Sequence, residues 1–164
     1  MATPIDMALS KYLLCKQAKY NEAMKGAAMT QSNVELIKEF YAAFARGDGD
    51  AALAALTEDV FWLEAENYPY ADRNPYIGPQ AVAEGVLARV PADWDEFVVV
   101  VEDVAPLGKD RVFSSGRYRG VFRRTGKRID AQMAHVWTLR EGRIAGFQQY
   151  ADTLQVVEAT RSGD

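Results

Sequence analysis

Apolar residues recur at helical spacing in the first half of the chain and at alternate positions in the second. Val34, Ile37, Tyr41 and Phe44, widened by Leu36 and Phe40, form one stripe of a 3.6-residue period. The stripe follows Ser32, which has Glu35 three residues on in the manner of a capping box, and it stops at Gly47. A first helix is therefore expected from Ser32 to the glycine, followed by an Ala-rich helix capped by Asp48 or Asp50 and running through Leu56. A strand is expected from Asp59 to Glu66, with Val60, Trp62, Glu64 and Glu66 on one face and Phe61, Leu63 and Ala65 on the other.

"NYPYADRNPYIGP" reads as a loop long enough to border a pocket, and Pro79 to Pro91 as a third helix. Thereafter the pattern is of strands alone: "EFVVVVEDV", "RVFSSGRYRGVF", "KRIDAQMAHVWTL" and "RIAGFQQYA". Turn residues at Gly108, Gly126 and Gly142 separate them, so consecutive strands should pair antiparallel. Asp152 is placed to cap a short terminal helix over "TLQVVEA". The pattern predicts an α+β fold, a strongly curved antiparallel sheet wrapped around helices, with a cone-shaped interior.

Composition narrows the class. The 164 residues suit one domain, and a formal net charge of −4 argues against a broad basic face for nucleic acid. No apolar run reaches the length of a membrane span. The single Cys15 allows no intrachain disulfide, so the expected compartment is the cytoplasm. Residues 1–31 read as an extension. Ile5, Leu9, Tyr12 and Leu13 share a helical face, while Lys11 and Lys16 interrupt the apolar stretch that a secretion signal needs. Residues 32–154 read as the domain proper and 155–164 as a short tail. The "FVVVV" strand is apolar on both faces, which predicts a homodimer.

The stretches "FYAAFARGDGDAALAALTEDVFWLE", "NPYIGPQAV" and "HVWTLREGRIAGFQQYADT" resemble the SnoaL-like branch of the nuclear transport factor two-like superfamily, which includes ketosteroid isomerase and limonene epoxide hydrolase. The resemblance covers about residues 33–153. It implies the cone fold, and it leaves the chemistry open, because enzymes and binding domains share this fold. Carried over by position, the isomerase's catalytic carboxylate falls at Glu64, its first-helix tyrosine at Phe40, where the hydroxyl is lost, and its second oxyanion donor at His135. The charged triad of the epoxide hydrolase falls at Gly116, Tyr118 and Gln149, so all its charges are missing. The His and Asp of the SnoaL-type cyclases fall at His135 and Gln149.

Strand parity points to the same positions. His135 alternates with Met133 and Trp137, Gln149 with Phe147 and Ala151, and Tyr118 with Gly116, Gly120 and Phe122. The expected pocket has Phe40, Trp62, Tyr118, Phe122, Trp137 and Gln149 as ligand-binding residues, and Glu64 and His135 as base and donor, a pair that burial or mutual contact could each bring to titrate near neutral pH. The expected function is cofactor-independent acid–base chemistry on a small hydrophobic carbonyl compound. The alternative is a binding or dimerisation domain of the same fold. No spacing of His, Cys and carboxylates suggests a metal. Arg117, Arg119, Arg123, Arg124, Lys127 and Arg128 read as a solvated face, because Arg117 and Arg119 have the parity opposite to the pocket.

Overall fold

A computed structural model describes residues 4–162, with side chains from Leu14 onward. Its first element is one helix, α1 (Pro4–Ala45), about 63 Å long at the usual rise. The helix runs straight through Ser32, so the expected start there is corrected. Residues on both sides of Ser32 keep helical bonding, with Thr30 Oγ1 donating to the carbonyl of Gly26 and Gln31 to Glu35. A capping pattern inside a longer helix has no orphan N–H to satisfy. Leu14 to Gln31 are exposed apart from half-buried Gly26 and Thr30, and burial begins at Asn33 and Val34. The expected stripe of Ile5, Leu9, Tyr12 and Leu13 lies outside the described side chains.

The helix ends as its glycine demands. Gly47 sits at φ 72°, and the amides of Gly47 and Asp48 turn back to the carbonyls of Phe44 and Ala43. Asp48 then caps α2 (Gly49–Ala54), accepting from the amide of Ala51 at 3.0 Å. Strand β1 (Leu56–Leu63) follows, starting and ending three residues earlier than the apolar pattern suggested. The tyrosine-rich loop holds a short β2 (Tyr76–Ile77) after a cis Asn74–Pro75 bond.

The single helix expected from Pro79 to Pro91 is instead three pieces, α3 (Pro79–Val82), a π-helical turn (Ala83–Leu87) and α4 (Arg89–Asp93). Four long strands complete the sheet: β3 (Trp94–Pro106), β4 (Arg111–Phe122), β5 (Arg128–Arg140) and β6 (Arg143–Ala151). The order is β2-β1-β6-β5-β4-β3, with every pair antiparallel except β1 against β6. Helix α5 (Thr153–Thr160), capped by Asp152, buries Val156 and Ala159.

Burial alternates along β4 and β5, so one parity faces the core and the other the surface. Gly116 lies on the inner parity where β3 crosses closely: a Cβ there would fall 1.9 Å from the carbonyl oxygen of Val100. The α1 face of Val34, Ile37, Phe40 and Ala43 fills the mouth of this concave surface. Among the described residues no helix is long and apolar enough to cross a membrane.

Candidate functional site

Between α1, the π turn and the inner sheet lies a chamber of about 60 Å³, lined almost wholly by aromatic and aliphatic side chains. Its polar groups are Glu64, Tyr118, His135 and Gln149 with the Tyr41 and Tyr68 hydroxyls. Sheet register brings most of them together. Ser114, His135 and Gln149 are direct neighbours across β4, β5 and β6, and Tyr118 stands one inward position beyond Gly116.

Glu64 follows the last residue of β1 and is 3% exposed. Asn74 holds its backbone from both sides, accepting from the Glu64 amide at 3.1 Å and donating to its carbonyl at 2.7 Å. Trp62 Nε1 donates to Oε1 at 2.6 Å, whereas the buried Oε2 has no partner among the described residues. Burial pushes the carboxyl pKa up to about 7, against the opposing pull of the Trp62 bond. Glu64 is thus a carboxyl that exchanges a proton near neutrality, with Oε1 fixed by Trp62 and Oε2 buried without a partner among the described residues.

His135 has both ring nitrogens engaged by tyrosines. Its Nδ1 lies 2.6 Å from the Tyr41 hydroxyl and its Nε2 2.5 Å from the Tyr118 hydroxyl. Burial pushes its pKa down to about 3, so the imidazole is neutral and must donate through one nitrogen and accept through the other.

Trp137 closes one end of this run of bonds, because its indole only donates. Its Nε1 gives to Ser114 Oγ at 2.9 Å, and Ser114, fully buried, lies 2.7 Å from the Tyr41 hydroxyl. The run has two directions: Ser114 gives to Tyr41, Tyr41 to Nδ1 and the Nε2 proton goes to Tyr118, or every one of these bonds is reversed, since either hydroxyl can donate and the ring roles follow the tautomer. The first order leaves the Tyr118 proton over and the second the Ser114 proton. Gln149 takes the Ala65 amide on Oε1 at 3.0 Å and gives its Nε2 proton to Tyr118 at 2.9 Å. In the first order the Tyr118 oxygen therefore takes two donors, and its own proton is the one left over.

The structure brings together Phe40, Trp62, Glu64, Tyr118, His135, Trp137 and Gln149 of the residues expected from sequence. Trp62 stacks on Phe147 at 3.8 Å, and Trp137 meets Phe40 edge-on at 5.1 Å. Phe122 is a correction. At the end of β4 it packs against Trp94 at 5.1 Å and does not line the chamber. Of the two causes open for the Glu64–His135 pair, burial holds for the imidazole: it is occupied by Tyr41 and Tyr118, and its shift comes from burial alone.

Sequence reasoning missed Tyr41, Ser114 and Tyr68 as site residues. Tyr41 lies beside Phe40 on the helical stripe, and Ser114 shares the parity of Gly116 and Tyr118, so both were within reach of the pattern. The basic residues face outward: Arg117 and Arg119 bind Asp130, and Arg123 binds Asp95. Among the described residues no cluster of His, Cys, Asp and Glu is placed to hold a metal.

A curved sheet closed by a helix over a small apolar chamber defines the class as an α+β cone fold. Residues 37–147 match the SnoaL-like domain, and the chain belongs to that family. A solved NTF2-like protein from Burkholderia thailandensis is 31% identical, superposes with a TM-score of 0.73, and aligns over 78% of this chain and 96% of its own. An NTF2-like protein of unknown function from Burkholderia pseudomallei gives 26% and 0.72 over 80% and 98%. TerC, co-crystallised with polyporic acid, gives 26% and 0.69 over 78% and 97%. No curated protein matches the chain.

Proposed function

We propose that this protein is a small-molecule enzyme that performs cofactor-independent acid–base chemistry on a hydrophobic carbonyl compound. The observation that carries the reading is the unpartnered Oε2 of Glu64, a buried carboxyl that lines the same chamber as Tyr118. A carbonyl compound suits both groups at once. Its oxygen accepts from Tyr118, and a hydrogen on the adjacent carbon faces Glu64, which takes it as the carbon–hydrogen bond breaks. The electron pair moves onto the oxygen, where the Tyr118 hydroxyl stabilises the enolate. Glu64 returns the proton to carbon to complete an isomerase-type shuttle. His135 acts as a positioning residue: its Nε2–H on the Tyr118 oxygen keeps that hydroxyl aimed at the ligand.

A second reading, binding without turnover, is favoured by the absence of a proton on His135 that is free for a ligand. The small-molecule complex of TerC supports a ligand in either case. Two copies of the chain pair through the outer sheet face, where Val98 is 48% and Tyr150 56% exposed. The exposed Cys15, free of any disulfide, suits a reducing compartment such as the cytoplasm.

The test is deuterium exchange at the carbons next to the carbonyl of 2-butanone in heavy water, followed by proton NMR. The wild type should exchange them, and Glu64→Gln should bind the ketone without exchange. Exchange that survives Glu64→Gln removes Glu64 from the mechanism. Binding without exchange in the wild type moves the conclusion to the second reading.

A further inference from the structure

The chamber is too small to hold a whole hydrophobic substrate. At about 60 Å³ it falls below the roughly 150 Å³ that encloses a benzene ring, so it accommodates an acyl head group and little more. Beside it lies a second hollow of about 390 Å³, bounded by α1, α2, α4 and the start of β3. Phe44, Leu87, Val90 and Phe97 line both spaces and so form the partition between them. The outer hollow continues with Ala52, Pro91 and Trp94, and Glu96 is the sole charged residue on its wall. The two volumes together reach the usual range for a small-molecule site, which neither the chemistry nor the space of the inner chamber meets alone.

We infer that the ligand spans both spaces: a terminal acyl head lies against Glu64 and Tyr118, and an elongated uncharged apolar body passes the Phe44–Leu87–Val90–Phe97 partition into the outer hollow. The inference rests on the acid–base reading for the head group and adds the shape and class of the remainder. Leu87 belongs to the π-helical turn, a geometry that recurs at functional sites and here bends the chain between the two spaces. Leu87 is half-buried, so a change of its size alters the passage without emptying the core.

The tryptophans report on the two spaces separately, because Trp62 and Trp137 line the chamber and Trp94 lines the outer hollow. In fluorotryptophan-labelled protein, 2-butanone should shift the fluorine signals of Trp62 and Trp137 only. The longer 2-undecanone should shift all three and bind at least about a hundredfold more tightly, from up to about fourfold per buried methylene. Leu87→Phe should reduce the undecanone-to-butanone affinity ratio at least tenfold, and Leu87→Ala should preserve it.

A silent Trp94 signal with undecanone, or equal affinities for the two ketones, overturns the inference, as does absence of binding by both. The two failures are separable. Undecanone that shifts all three signals without exchanging its hydrogens leaves the two-space site standing and removes the acid–base reading. Glu64-dependent exchange of butanone with no gain from chain length does the opposite.

Discussion

The Tyr118 hydroxyl lies 2.5 Å from Nε2 of His135, so one of the two ring nitrogens is tied to a side chain that lines the chamber. In the proposed reading the sole histidine of the chain acts through that tyrosine as a neutral dipole, with Nε2–H on Tyr118 and the run from Trp137 through Ser114 and Tyr41 on its other side. The arrangement predicts that the imidazole shows no titration between about pH 5 and about pH 8, where an unperturbed histidine changes charge. Nitrogen-15 NMR of labelled histidine should show the Nε2–H tautomer throughout. An inflection near 6.5, or the Nδ1–H tautomer, would refute the proposed direction.

Stability should carry opposite signatures from the two buried groups. The His135 pKa is about 3 in the fold against 6.5 in a free chain, so the unfolded state binds more protons in that window and stability falls as pH drops through it. The Glu64 pKa is about 7 against 4.5, so the fold binds more protons there and stability falls as pH rises from about 4.5 to about 7. The effects offset each other between about 4.5 and 6.5. On going from about pH 5.5 to about pH 8, Glu64→Gln should gain about 2 kcal/mol relative to wild type, as measured by urea unfolding at both values. An unchanged difference would mean that Glu64 is not buried as described.

Most of the sheet was legible because its signals are local. Gly108, Gly126 and Gly142 take the positive φ of 76°, 70° and 73° that mark the three meander turns, and alternation fixed the inner parity of β4 and β5. The start of the first helix was not legible, since Ser32 and Glu35 carry a pattern that only an exposed helix end would use. Position 40 carries no hydroxyl, but Tyr41, one residue later on the helix, brings one to Nδ1 of His135, a contact that position-by-position alignment does not reveal. The partition of Pro79–Asp93 into three pieces left no mark in the periodicity, which reads the same for a π-helical turn as for an α-helical one over five residues.

The N-terminal part of α1 should be dispensable for folding. From Leu14 to Ala28 every side chain is exposed save half-buried Gly26, so apolar burial contributes almost nothing there. Removal of the residues before Met29 should shift Tm by less than about 3 °C, an effect below about 1 kcal/mol. A larger loss in thermal unfolding would show that the extension docks on the domain or on a second copy.

Ser114→Ala tests the run that aligns the site. The change leaves the Trp137 indole N–H and the Tyr41 oxygen each short of a buried partner and should destabilise the fold by about 1–3 kcal/mol. It also frees Tyr41 to accept from Nδ1, so a mixture of tautomers should appear at His135. A stability loss with the tautomer unchanged would assign Ser114 a packing role only.

Tyr118→Phe separates the donor from the base. The hydroxyl bonds His135 and accepts from Gln149, so its loss leaves two buried polar groups short of a partner and should lower stability by about 1–3 kcal/mol. For deuterium exchange of bound 2-butanone, removal of one oxyanion donor should slow the rate by about 10²–10³ while Glu64 still titrates near neutrality. Because Glu64 remains, the pH at which the residual rate is half-maximal should stay close to its wild-type value. A rate that falls by less than about threefold would leave the carbonyl oxygen without need of Tyr118 and transfer the donor role to the neighbouring Tyr68, whose ring lies 6.2 Å from that of Tyr118 in the same chamber.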